Sequence, residues 1–206
     1  MKTHTLLLAA ALCLGPLPAA AQITVTAAPE VSALMADCTP TTAQGAEIID
    51  GLYARGWVEP DTAERRAALT TLAAAHLWSF LPDRTPEAQI ELLDSLTAAV
   101  ERTLDSGGTL LIKGNERALI LWDGDSLSCL WAGPQTQAID TLAVQLGGPL
   151  PASEGATTRA INQRLEAGGR NWQRRMAVGR TPVTALPPVA VAQAITDAAR
   201  LDRSPE

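Results

Sequence analysis

The sequence predicts an α+β fold, with helices packed on both faces of a small antiparallel meander of three to four strands. Three observations carry this reading. Apolar residues recur at steps of three and four from Leu69 to Leu104, the helical period. Between Thr109 and Trp131 the period drops to two, and Gly114-Asn115 and Asp123-Gly124-Asp125 supply the turns of an antiparallel meander. Both faces of that meander are apolar, so both need cover.

Each element has its own signal. Gln22–Thr26 alternates loosely and reads as an edge strand. Residues 27–40 read as irregular, with Pro29 and Pro40 as breakers. Thr41-x-x-Gln44 resembles a capping box ahead of a helix that runs to Arg55 and stops at Gly56. Asp61-x-x-Glu64 opens a second helix, to about Leu81, with Leu69, Leu72, Ala73, Leu77 and Phe80 on one stripe. The next helix has Thr85 as its cap, Pro86 in its first turn and Glu87 at its positive end. Ile90, Leu93, Thr97, Val100 and Leu104 form its stripe, and Gly107-Gly108 end it.

Two-residue turns fix the register of the meander. Lys113 then faces Glu116, and Trp122 faces Leu127. One face carries Leu110, Ile112, Leu119, Leu121 and Leu130. The other carries Leu111, Ala118, Ile120, Trp122, Leu127, Cys129 and Trp131. A short helix follows at 136–146. Residues 158–167 read as another short helix ended by Gly168-Gly169, 183–186 as a strand, and 189–201 as a final helix before a frayed end.

The first 21 residues read as a secretory signal. Lys2 and His4 precede the apolar run Leu6–Leu14, and Ala19-Ala20-Ala21 offers small residues for cleavage before Gln22. Leu12 precedes Cys13, where a lipobox needs a small residue, so the reading is plain export to the periplasm or medium of a bacterium. Residues 22–206 then form one globular domain, with no later stretch apolar enough to span a membrane. Two cysteines remain, Cys38 and Cys129. An even count in an oxidising compartment predicts a disulfide between them. Closing so long a loop stabilises by at most roughly 4–5 kcal/mol on chain-entropy arithmetic. Their spacing excludes a C-x-x-C redox pair.

The residues exclude several chemistries. His76 is the one histidine after residue 21, so His-rich metal sites and H-E-x-x-H are absent. It falls on the apolar stripe of its helix and reads as a core residue. No G-x-S-x-G surrounds any serine. Asp123-Gly124-Asp125 reads as a turn, since a calcium loop needs further oxygen ligands. The glycine pairs read as helix ends and not as phosphate cradles, and no cofactor or metal is expected.

Charge is distributed unevenly. Residues 22–154 carry a net of −11, while 155–206 carry +4. Arg159, Arg164, Arg170, Arg174, Arg175 and Arg180 stand against Glu166 alone. If 170–179 is helical, Trp172 and Met176 share a face. Arg170, Trp172, Arg174 and Arg175 are then the candidate binding residues for an envelope protein or an anionic surface. Nucleic acid does not suit an acidic exported chain. The expectation is an exported, non-enzymatic envelope protein that binds a partner or ligand. The alternative is a small exported hydrolase whose active site the sequence does not display.

Overall fold

The computed structural model describes residues 30–81, 85–104, 107–185 and 195–206. The expected signal, its expected cleavage site and the expected Gln22–Thr26 strand lie outside the described residues. Four helices come first: α1 (Val31–Cys38), α2 (Gly45–Ala54), α3 (Thr62–Phe80) and α4 (Pro86–Leu104). The meander β1 (Gly108–Lys113), β2 (Glu116–Asp123) and β3 (Ser126–Gly133) follows, then α5 (Gln137–Gln145). The chain crosses to the far edge and returns through β4 (Thr157–Ala167), β5 (Arg170–Arg180) and β6 (Asp197–Pro205). β6 lies beside β3, which gives one six-stranded antiparallel sheet of order β1-β2-β3-β6-β5-β4.

The α+β class holds, but the sheet has six strands where three to four were expected. The difference is a second meander in the C-terminal third. Residues 158–167 are strand β4 and not a helix, and 170–179 lie in strand β5. Ile161 and Leu165, like Trp172 and Met176, are four apart. That spacing is one turn of a helix, and it is also two alternations on one face of a strand. Gly168-Gly169 is no helix stop. Both residues have positive φ (61° and 71°), the two-residue type I′ hairpin turn that only such residues adopt without strain. Val183–Ala185 is a single 3-10 turn, not a strand. Of the final helix, residues 197–201 instead begin β6, which also holds the end expected to fray; residues 186–194 lie outside the described residues.

The N-terminal half follows its local signals more closely. Asp61 caps α3 by accepting from the Glu64 N–H at 2.8 Å, and Thr85 accepts from Ala88 at 3.3 Å. Thr41-x-x-Gln44 makes no capping box, because the Gln44 side chain donates to the Thr42 carbonyl instead. Residues 31–38 are not irregular. Val31, Leu34, Met35 and Cys38 stand at helical spacing and all four are buried as α1.

Both faces of the β1–β3 meander are covered, along the division expected from the register. Lys113 pairs with Glu116, and Trp122 with Leu127. Under α1, α2 and α5, Leu111, Ala118, Ile120, Cys129 and Trp131 join Leu34, Met35, Leu52 and Ile139 in one core. On the opposite face, Leu110, Leu119 and Ala132 pack against Leu69 and Leu72 of α3. α4 packs on α3 through Leu93, against Leu77 and Trp78. The Cys38–Cys129 disulfide is present and ties α1 to β3, with Cα atoms 6.5 Å apart. Among the described residues, no helix is long and apolar enough to cross a membrane.

Candidate functional site

Helix α3 runs across one face of the sheet and approaches β5 at Gly179. A Cβ there would lie 2.9 Å from the Ser79 Cβ, so this close approach requires glycine. Beyond that crossing, no helix among the described residues covers the far ends of β4, β5 and β6 on this face. They form the floor of an open concavity of about 1170 Å³, rimmed by Thr103 and Gly107 at the end of α4.

Strand pairing decides which side chains enter it. Asn162 and Asp202 flank Arg175 from the neighbouring strands, Gln173 flanks Arg164, and Ala177 lies beside Arg200. Arg164, Arg175 and Arg200 therefore occupy adjacent strands on one face, each stepped two residues from the last. Strand spacing and rise set these steps at roughly 8 Å along the backbone. The three arginines make a diagonal row across the uncovered sheet.

All three are exposed. Arg164 Nε meets Glu206 at 2.9 Å, and Arg200 Nε meets Asp202 at 2.6 Å. Asp202 is held in turn by the Ser128 hydroxyl at 2.7 Å. Among the described residues, Arg175, at the centre of the row, has no ion pair. Such exposed pairs are worth about 0–1 kcal/mol, so an incoming anion can displace them at small cost. Asn162, Gln173, Ser128 and Ser204 add neutral donors and acceptors around the row.

Of the four candidate residues, only Arg175 lies on this face. The helical stripe does not exist, and alternation along β5 sends the others elsewhere. Trp172 is 6% exposed, and its Nε1 donates to the Ala167 carbonyl at 3.2 Å. Arg170 and Arg203 place their guanidinium carbons 5.5 Å from the Trp172 ring centre, and Arg170 pairs with Asp125 at 2.6 Å. Arg174 is a strut, donating to Gln163 and to the Thr39 carbonyl. Arg200 escaped the sequence reading because its strand read as a helix. Strand alternation reflected through the Gly168-Gly169 turn is the signal that brings Arg164 and Arg175 together.

A second, smaller concavity of about 620 Å³ lies on the opposite face between α1, α5 and the β4–β5 hairpin. Met35, Leu142, Leu165 and Met176 line it, with Arg174 at its floor.

His76 is unsuited to acid–base chemistry. It is buried, with Nδ1 2.9 Å from the Leu72 carbonyl and Nε2 3.2 Å from the Ala199 carbonyl. Burial lowers its pKa to about 4, against backbone hydrogen bonds that favour the charged form. The unfolded chain therefore takes up this proton first as pH falls. The His76 contribution is fully present above about pH 6.5 and is lost progressively down to about pH 4. Denaturant melts should show a loss of roughly 3 kcal/mol across that interval, and the His76→Gln variant should show less of it. Equal pH slopes in the two proteins would contradict this.

Among the described residues, no group of three or more His, Cys, Asp or Glu side chains converges as metal ligands do. No family model matches the chain, and no curated protein or solved structure is detectably similar to it.

Proposed function

We propose that this chain is an exported, non-enzymatic envelope protein, and that it binds an anionic ligand or partner on the open sheet face around Arg164, Arg175 and Arg200. The arginine row carries the reading. An acidic protein of net charge −6 places three exposed guanidiniums in a diagonal row on a part of its sheet that no helix among the described residues covers. Guanidinium forks recognise carboxylates and phosphates by paired hydrogen bonds. The surrounding amides and hydroxyls suit the neutral polar groups of such a ligand. The cleaved signal and the disulfide compartment belong to the same reading.

The test is capture from periplasmic extract by the tagged mature protein and by its Arg164→Gln/Arg175→Gln/Arg200→Gln variant. The three residues are exposed, so the variant should melt within about 1 kcal/mol of the wild type. It should lose a partner that the wild type retains, and rising salt should weaken the wild type in the same way. Capture that is equal in both proteins and insensitive to salt would refute the proposal.

A further inference from the structure

The two edges of the sheet are finished differently. At β1, Val58 closes the edge: its N–H donates to the Ile112 carbonyl at 3.0 Å, and its carbonyl accepts from Ile112 at 2.8 Å. Among the described residues, the β4 edge has no such cover, and no backbone–backbone hydrogen bond outside the β4–β5 ladder involves residues 157–167. β4 is 11 residues long, with no proline and an unbroken register against β5. Natural edges of this length are blunted by proline, lysine, bulges or cover.

The orientation of its backbone groups follows from the turn. A two-residue hairpin makes Ala167 and Arg170 a hydrogen-bonded pair, so the odd residues of β4 bond inward to β5. The β5–β6 side agrees, since the Asn171 carbonyl turns away from β4 to accept from Glu206 at 3.0 Å. The N–H and C=O groups of Ala160, Asn162, Arg164 and Glu166 therefore point out of the sheet.

We propose that a second copy of this chain pairs on this edge, β4 antiparallel to β4, with its two-fold axis at Gln163. The strand is self-complementary about that residue. Ile161 then faces Leu165 of the second copy, twice, and Gln163 faces Gln163. On the other face Asn162 meets Arg164, and Ala160 meets Glu166. No like charges stand directly opposite. The two adjacent registers that keep each face aligned are worse. Centring on Arg164 sets arginine against arginine, and centring on Asn162 sets Leu165 against Arg159. Ile161 and Leu165 are half-buried at the free edge, so pairing removes apolar surface from water. The arginine-lined concavities of the two copies become one surface across the axis, with Arg164 contributed from both sides.

Sedimentation velocity over a concentration series tests the pairing without any ligand, so its outcome is independent of the binding proposal. The purified protein should show a concentration-dependent dimer. Ala160→Pro removes an outward N–H that β5 does not use, and should weaken the dimer by roughly tenfold or more. Gln163→Cys places two thiols in a non-hydrogen-bonded pair at the axis, within disulfide reach, and should form a covalent dimer under non-reducing conditions. A wild type that remains monomeric overturns the proposal. So does a dimer that Ala160→Pro leaves intact and Gln163→Cys does not cross-link.

Discussion

Leu119→Asp and Ile120→Asp are each expected to lower stability by about 4 kcal/mol or more, although the two side chains point to opposite faces of the sheet. Both residues are 0% exposed. Leu119 packs in the layer beneath α3, with Leu69 and Leu72. Ile120 packs in the layer beneath α1 and α2, with Leu34 and Leu52. Each substitution loses apolar burial and leaves a carboxylate without a partner. For a domain of this size the melting temperature should fall by roughly 10 °C or more in each variant. A sheet wet on one side would tolerate one of the two. A near-native melt for either variant contradicts two-sided burial.

The second large effect is expected at Arg180. Asp197 is wholly buried, and its two oxygens accept from Arg180 Nε and Nη2 at 2.8 Å each. The Thr136 N–H adds a bond at 2.9 Å, and Arg180 also reaches Asp140 and the Thr136 carbonyl at the start of α5. Burial pushes the Asp197 carboxyl up, and the two guanidinium bonds and the Thr136 N–H oppose that shift. Donation to Asp197 in turn holds Arg180 above its ordinary value. This pair pins α5 to β5 and β6, where the chain turns into the second meander. Arg180→Met strands a buried carboxylate and should cost about 3–5 kcal/mol. Removing both charges, as Arg180→Met/Asp197→Leu, should recover a large part of that loss. A double variant no more stable than the single one would show that the network acts through something other than the unpaired charge.

The legible and illegible halves of this fold differ in how local their signals are. The first meander was readable to the residue, because Gly114-Asn115 and Gly124-Asp125 set the register of the strands beside them. Caps at Asp61 and Thr85 likewise act within one turn of their own position. The second meander was hidden because its apolar pairs are spaced by four, which suits either period. β6 is held by partners distant in sequence: Arg203 reaches the Pro40 and Ala43 carbonyls, and the β6 carbonyl of Ala199 meets His76. Local propensity yields to such pairing. The candidate site suffered most, since it exists only where β4, β5 and β6 lie side by side. Residues 170–179 are ambiguous in sequence, and a helix there would group Arg174 with Arg175. The strand parts them to opposite faces, and it pairs Arg175 with a row that includes Arg164 and Arg200.

Amide chemical-shift mapping of residues 22–206 tests the binding face. The probes are inorganic phosphate and a carboxylated oligosaccharide, each titrated at low salt. Saturable shifts are expected at Asn162, Arg164, Gln173, Arg175, Arg200 and Ser204, which salt abolishes and Arg175→Gln weakens. No saturable shift with either probe, or shifts confined to the Met35–Leu142–Leu165 groove on the opposite face, would contradict it.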